Sequence, residues 1–228
     1  NFQGIYSEFK EPLRNTKGFE QIVYDVLANT QDMNIIEKPE PEDTPFYINN
    51  GTINVGNTNG KVILQTFSLE SLVRVAEVFQ GKVPMCFLLW KGTGATDLTY
   101  DDPLGYASFI NLGVKYKAHF IGPCIAGAPN DYPELDQPWQ DYLIHRAKMK
   151  NHPYTFDTYD QMAKYFGQYN FGVADGMFNP PYLDALFTNH SDMSINYMIT
   201  HGWRKSPASQ TLVDAREVLR KLGYLDNN

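Results

Sequence analysis

The sequence predicts an α/β fold built on a parallel sheet, and two observations carry that prediction. Strand-like and helix-like segments alternate along most of the 228 residues. Several strand-like segments, such as 62–67 and 83–90, are apolar at nearly every position, which is typical of parallel strands covered by helices on both faces. The alternation by itself is compatible with a closed β/α barrel and with an open, doubly wound sheet.

The N-terminal half supplies the first three strands of this prediction. Residues 5–10 alternate between the two faces of a strand and stop before Pro12. The segments 62–67 and 83–90 are the second and third strands, and Ser68 is placed to cap the helix that follows the second. Apolar residues at helical spacing predict a helix between the first two strands: Phe19, Ile22, Val23, Val26 and Leu27.

The C-terminal half continues the alternation. Thr158 and Gln161 predict a capping box, and Gly223 is placed to end the last helix. Residues 37–61 have no periodicity and predict a long surface insertion. The remaining predicted elements are helices at 101–113, 136–149, 158–168 and 206–222, a short helix from Pro181, and strands at 118–125 and 172–178.

The composition of the chain indicates which classes of binding partner are not expected. Hydrophobic residues make up 43% of the chain, enough for a substantial core, and the net charge of −7 argues against nucleic acid or an acidic membrane as the default partner. No run is long and apolar enough to predict a membrane span. Cys86 and Cys124 lie inside apolar segments and are predicted to be small buried hydrophobes.

The first strand carries the residues most suggestive of chemistry. Tyr6, Glu8 and Lys10 share one of its faces because side chains alternate along a strand. A carboxylate and an ammonium are costly to bury without partners, and active sites of β/α barrels form at the carboxyl ends of the strands. Glu8 there could bind a hard cation and Lys10 could neutralise a phosphate oxygen. The competing interpretation is a Glu–Lys pair at a sheet edge.

Five segments resemble, in chain order, the strand-end motifs of glycerophosphodiester phosphodiesterases. The likeness runs from residue 5 to about residue 187 and leaves the last 40 residues outside it. The matching segments are Glu8-Phe9-Lys10 before Pro12, Gln65-Thr66-Phe67-Ser68, Val83-Pro84 with Leu88-Leu89, Tyr154-Thr155-Phe156-Asp157, and the run from Gly172 to Pro181.

The resemblance implies a β/α barrel of the TIM type. Residues 1–188 would be its C-terminal portion, with the N-terminal strands missing from this sequence, and residues 189–228 would be an extension ending in a helix. The family cleaves small-molecule glycerophosphodiesters to glycerol phosphate and an alcohol. It uses one divalent metal, Ca²⁺ or Mg²⁺, and two histidines as acid and base.

Four residues carry over from the family's motifs. Glu8 resembles a metal ligand and Lys10 the catalytic lysine that contacts the phosphate, while Gln65 and Tyr154 would line the substrate pocket. The family's two catalytic histidines and its Glu-x-Asp metal pair precede the Glu-x-Lys strand and are therefore expected upstream. Tyr154 stands where the family usually has Trp, and Asp157 where it has Asn, which leaves the details of the substrate open.

The histidines of this chain do not replace the missing pair. His119 and His152 are predicted at the starts of their strands, the end away from the active site. His145 falls on a helix, and His190 and His201 follow the last predicted strand. A structural or solvated role is expected for each. The alternative function is therefore a non-catalytic, phosphodiesterase-like domain that binds a phosphorylated ligand or a protein partner.

Overall fold

The computed structural model describes most of the chain but not all of it. The residues it describes are 5–10, 16–29, 48–49, 52–53, 62–90, 102–168, 183–202, 204, 216, 219–220 and 223–225. Contacts between Cα atoms divide the chain into two compact units, Asn1–His190 and Ser191–Asn228, which are described separately. The identity of residues 1–188 as part of a phosphodiesterase barrel stays a prediction.

The first unit alternates strands and helices in the described residues. The strands are β1 (Ile5–Glu8), β2 (Ile48–Asn49), β3 (Thr52–Ile53), β4 (Val62–Thr66), β5 (Met85–Leu89), β6 (Phe120–Pro123) and β7 (Lys150–Asn151). The helices are α1 (Phe19–Asn29), α2 (Leu69–Phe79), α3 (Pro103–Lys115), α4 (Pro138–Arg146) and α5 (Tyr159–Ala163), and a π-helical turn, Lys164–Gln168, continues α5.

Five of these strands form one parallel sheet in the order β1-β4-β5-β6-β7. Each pair of neighbours is parallel, and the connections described between β4, β5, β6 and β7 run through helices. The predicted α/β class is therefore confirmed, while the TIM-type barrel stays a prediction. The predicted insertion 37–61 contains the antiparallel pair of β2 and β3, and its other residues lie outside the described ones.

The two faces of the sheet bury different side chains. On the helix-covered face, Phe87 of β5 stacks on Phe109 of α3 with ring centroids 4.1 Å apart, and apolar side chains of α2 complete that core. The opposite face, called here the inner face, carries a smaller cluster. Its members come from four strands and the segments that follow them: Tyr6, Ile63, Phe67, Cys86, Leu88, Phe120 and Tyr154.

The inner face is concave. A flat sheet would separate β1 from β7 by about 19 Å, since strands lie about 4.8 Å apart. The hydroxyl of Tyr6 on β1 nevertheless lies 3.1 Å from Nδ1 of His152, which directly follows β7. The inner face is also crowded at Gly122 of β6. A Cβ at this position would lie 2.7 Å from Cδ2 of Leu88 and 3.0 Å from Sγ of Cys86, so the position accommodates glycine and no larger residue without a shift.

Two predicted helix caps are confirmed. The hydroxyl of Ser68 accepts a hydrogen bond from the backbone N–H of Ser71 at 3.3 Å and so begins α2. Thr158 and Gln161 form the predicted capping box at the start of α5. Gln161 also donates from its amide to the carbonyl of Gly127 at 3.2 Å, so this cap ties α5 to the loop that follows β6.

The short helix predicted from Pro181 is wrong over the described residues 183–190. There the chain runs beside β7 instead: the N–H of Asp184 donates to the carbonyl of Asn151 at 2.9 Å, and that of Phe187 donates to Pro153 at 3.0 Å. Because these two N–H groups donate to carbonyls outside residues 183–190, they are not available for the hydrogen bonds of a helix. The strand predicted at 172–178 lies outside the described residues.

The second unit contains α6 (Ser191–Thr200), which was not predicted from the sequence. Of the predicted terminal helix, only residues 216, 219 and 220 are described, and they are helical. Gly223 ends it as predicted, with φ of 79°. No helix in the described part of the chain is long and apolar enough to cross a membrane.

Candidate functional site

The predicted site residues of the first two strands of the sheet lie together. Glu8 and Gln65 are register partners on β1 and β4, so their side chains leave the same face near the carboxyl ends of both strands. Lys10 lies two residues beyond β1, and its Nζ is 3.5 Å from Oε2 of Glu8. The Lys10 side chain is 73% exposed and that of Glu8 20% exposed, so the ammonium can turn toward a ligand.

Tyr154 joins this face from the far side of the sheet. It bridges to Cys124 in a parallel arrangement beyond β6 and packs against the inner-face cluster. Its hydroxyl donates a hydrogen bond to the carbonyl of Leu89 at 2.9 Å. Burial, followed by the nearby Cys124, raises the pKa of Tyr154 well above its ordinary value. Tyr154 is therefore a neutral phenol that can line a pocket but not exchange protons there.

A divalent cation does not fit the described residues by themselves. No group of three or more His, Cys, Asp or Glu side chains among them is arranged to hold a metal ion. Glu8 provides one carboxylate, and Lys10 already lies beside it. This geometry corresponds to the Glu–Lys pair that was the competing interpretation of the first strand. Glu8 as a ligand of Ca²⁺ or Mg²⁺ stays a prediction.

His152 is a residue that the sequence reading misplaced. The structure puts it directly after β7, not at the start of its strand, because the polar residues Lys150 and Asn151 already pair with β6. Its ring stacks on Phe120 at 4.1 Å and shares a hydrogen bond with Tyr6. Burial lowers the pKa of His152 to about 4, so the ring is neutral at pH 7. The alternation of side chains places Tyr6 and Glu8 on one face of the first strand, but it does not predict that Tyr6 contacts His152.

A second polar group lies on the helix-covered face, around Asn151. This side chain is fully buried, and its amide nitrogen donates to Oδ1 of Asp136 at 2.8 Å and to Oδ1 of Asp141 at 2.9 Å. Burial, followed by the proximity of Asp141, raises the pKa of Asp136. Burial also raises the pKa of Asp141. One amide therefore supports two buried carboxyl groups.

His145 extends this group to the surface. Its Nδ1 lies 3.2 Å from Asp141 and its Nε2 2.8 Å from Asp184. Burial alone would lower the pKa of His145, but hydrogen bonds to Asp141 and Asp184 outweigh it and raise the pKa to about 10. Burial would raise the pKa of Asp184, but hydrogen bonds from His145 and Lys150 lower it to about 2.

These side chains form one connected set, called here the Asn151 network. Lys150 completes it with an ion pair of 2.7 Å to Asp184. The network joins α4 to β7 and to the segment that begins at Asp184. The Asn151 side chain lies on the helix-covered face, away from Glu8, because Asn151 pairs with Ile121, whereas Lys150 pairs with Phe120 of the inner face. Its members are Asp136, Asp141, His145, Lys150, Asn151 and Asp184. Sequence patterns gave no signal for it.

Comparison with known proteins adds a distant structural likeness. No protein-family model and no curated protein matches the chain. Among solved structures, it resembles a protein of Silicibacter pomeroyi assigned as a glycerophosphoryl diester phosphodiesterase, with a TM-score of 0.43 and 12% sequence identity. The match covers 64% of this chain and 40% of that protein. A likeness this remote does not establish the family or the activity of this chain.

Proposed function

We propose that this chain forms part of an enzyme that hydrolyses glycerophosphodiesters to glycerol phosphate and an alcohol. The observation that carries the proposal is the pairing in register of Glu8 and Gln65, with Lys10 beside them, at the carboxyl ends of neighbouring parallel strands. These are three of the residues that carry over from the phosphodiesterase-like motifs. Parallel β/α folds bind their substrates at that end of the sheet.

The chemistry assigns a role to each of these side chains. In the net reaction, the oxygen of one water molecule bonds to phosphorus, the bond from phosphorus to the alcohol oxygen breaks, and the proton that the water loses ends on the departing alcohol. The exposed ammonium of Lys10 would leave Glu8 and offset the charge that develops on the phosphate oxygens. The amide of Gln65 would donate a hydrogen bond to the phosphate or the glycerol. Glu8 would be only one ligand of a divalent metal that supplies Lewis acidity, because the described residues do not complete a metal site.

A specific observation favours a second candidate, a non-catalytic domain that binds a phosphorylated ligand. The three histidines that pack on or beside the sheet are poor acid–base catalysts. Burial lowers the pKa values of His119 and His152 to about 4, while His145 is held between two carboxylates. General acid–base catalysis works best with a pKa near the operating pH.

The test compares Glu8→Gln with Glu70→Gln, an exposed carboxylate of α2 that pairs with Arg74. Hydrolysis of glycerophosphocholine and glycerophosphoethanolamine is measured with and without Ca²⁺ or Mg²⁺. We expect Glu8→Gln to reduce activity by roughly 10- to 100-fold, the usual cost of disturbing a metal site. Glu70→Gln should retain full activity. A Glu8→Gln variant with unchanged activity and metal dependence would refute the assignment of Glu8.

Calorimetric titration with glycerol 3-phosphate separates the two candidates. Binding that weakens in Lys10→Met, combined with hydrolysis, supports the enzyme. The same binding without hydrolysis under any of the metal conditions supports the non-catalytic domain. If the chain neither binds glycerol 3-phosphate nor hydrolyses either diester, both candidates are wrong.

A further inference from the structure

A hydrogen bond connects the first strand of the sheet with the far side of the inner face. The hydroxyl of Tyr6 on β1 lies 3.1 Å from Nδ1 of His152, which directly follows β7. The rings of Tyr6 and Phe187 pack edge to face with centroids 4.7 Å apart, and His152 stacks on Phe120 at 4.1 Å. These contacts join parts of the chain that the order of the strands puts at opposite edges of the sheet. Tyr6 and His152 are called here the bridging pair.

The bridging pair lies one layer below the proposed phosphate site. Tyr6 precedes Glu8 by two positions on the same face of β1, and His152 precedes Tyr154 by two positions. Two residues of a strand advance by about 6.6 Å, so the pair belongs to the next layer of the inner face beneath the carboxyl ends. Side chains in this layer lie below a bound phosphate and set the distance between the two sides of the site.

The position of β1 depends on such a contact because this strand is held on one side. In the described part of the chain, β1 pairs with β4 and with no other strand. Gln65, by contrast, lies on β4 between two paired neighbours. Glu8 and Lys10 therefore belong to the less constrained of the two strands, and their distance from Tyr154 depends on how far the sheet curves.

The chemistry of the bridging pair is that of a neutral hydrogen bond. Burial, followed by the nearby Cys86, raises the pKa of Tyr6, and burial lowers the pKa of His152 to about 4. Neither side chain is therefore charged at pH 7. A neutral hydrogen bond adds little net stability, since both groups bond to water in the unfolded chain, and apolar replacements of the same shape can leave stability unchanged. A buried polar contact of this kind instead favours one arrangement of a core over its alternatives.

We infer that Tyr6 and His152 are positioning residues, which hold β1 at a fixed distance from β7 so that Glu8 and Lys10 face Tyr154 across the inner face. They act through β1 and take no part in bond cleavage. The consequence for ligand binding rests on the proposed function, whereas the effect on the position of β1 does not. The position of β1 can therefore be tested without a ligand.

The first test measures the distance between the two edges of the sheet in the full chain. Spin labels are attached to Ser7→Cys on β1 and to Arg146→Cys on α4, two exposed positions, and pulsed electron paramagnetic resonance records the distribution of distances. The native cysteines are buried and stay unlabelled. We expect one narrow distribution in the parent chain and a broader, displaced one when Tyr6→Phe and His152→Leu are combined. The same distribution in both would overturn the inference.

Two further variants identify the group responsible. His152→Asn places an amide near the position of Nδ1, within reach of the Tyr6 hydroxyl, and should restore the narrow distribution that is lost with His152→Leu. Tyr106→Phe is the matched control, because it removes a buried tyrosine hydroxyl that donates to the carbonyl of Leu135 at 2.9 Å on the helix-covered face. It should leave the distribution unchanged. If His152→Asn behaves like His152→Leu, or Tyr106→Phe like the double variant, the hydrogen bond does not position β1.

Ligand binding then separates this inference from the function on which it rests. The double variant should unfold at the same urea concentration as the wild type. It should nevertheless bind glycerol 3-phosphate more weakly and lose roughly 10- to 100-fold in kcat/KM for glycerophosphodiesters, the cost of misplacing groups by about 1 Å. Weaker binding that only follows a loss of stability, or undiminished binding, would overturn the positioning role. If the wild type neither binds nor cleaves, the proposed function fails, and the distance measurement alone decides the inference.

Discussion

The two polar regions of the first unit differ in how deeply their charged groups are buried. At the carboxyl ends of β1 and β4, Lys10 pairs with Glu8, and the Lys10 side chain is 73% exposed. In the Asn151 network, on the other face, a fully buried amide serves two carboxyl groups and His145 bridges two carboxylates. Strongly shifted pKa values often mark active sites, but here several mark a set of side chains that joins structural elements.

The comparison predicts that the largest loss of stability follows removal of the Asn151 amide. Asn151→Ala would leave Asp136 and Asp141 buried without their shared donor. Leaving buried polar groups unpaired costs about 3 kcal/mol in total, which we expect as the decrease in the free energy of unfolding in urea. Asn29→Ala, on the exposed end of α1, is the control. A loss below about 1 kcal/mol would mean that the network does not hold the fold.

On the inner face, we expect stability to depend on side-chain volume, whereas in the Asn151 network it depends on the pairing of charged and polar groups. A Cβ at residue 122 would approach Leu88, Cys86 and the carbonyl of His152, the last at 3.1 Å. Gly122→Ala should therefore destabilise the chain by about 2 kcal/mol through overpacking. Thermal or urea unfolding measures it. Gly202→Ala is the comparison. Gly202 has a φ of 75° and open space around the position of a Cβ, so this variant measures the cost of backbone strain in the absence of crowding.

His145 makes the stability contributed by the Asn151 network depend on pH. Its pKa in the folded state, about 10, lies above the ordinary value of 6.5. Its contribution is therefore complete below pH 6.5 and is lost as the pH rises through 10. Because the side chain is 36% exposed, solvent screening limits the effect to about 1 kcal/mol.

We therefore expect His145→Gln to lower the free energy of unfolding by about 1 kcal/mol at pH 6 and by much less at pH 10.5. His190→Gln, a substitution of an exposed histidine, is the control and is measured at the same two pH values. A His145→Gln effect that does not change between pH 6 and pH 10.5 would show that the ion pairs with Asp141 and Asp184 do not stabilise the fold.

Local patterns were enough to predict most of the fold. The caps at Ser68 and Thr158 were confirmed because a cap depends on residues within one helical turn. The strands β4, β5 and β6 were recognisable because burial on both faces makes them continuously apolar. β7 was harder because its two residues, Lys150 and Asn151, are polar and pair with charged side chains far away in the chain.

The alternation of side chains predicts only the part of the candidate site on the first strand, whereas Gln65 and Tyr154 came from the family resemblance. Alternation alone places Tyr6 and Glu8 on one face, and the register with β4 then brings Gln65 beside Glu8. The contact of Tyr6 with His152 spans 146 positions of sequence and depends on the curvature of the whole sheet. No local pattern encodes that curvature, so the predicted location of His152 was wrong.

The smallest expected loss of stability concerns Glu8 itself, and it bears most directly on function. The pair with Lys10 is largely exposed on the lysine side, and exposed ion pairs contribute about 0–1 kcal/mol. Glu8→Gln should therefore change the free energy of unfolding by less than about 0.5 kcal/mol, measured in the same urea titrations as Asn151→Ala. If Glu8→Gln leaves the fold intact and lowers metal-dependent cleavage, the carboxylate has a chemical role. If Glu8→Gln instead destabilised the chain as strongly as Asn151→Ala, Glu8 would belong with the structural charges, and the contrast between the two regions would disappear.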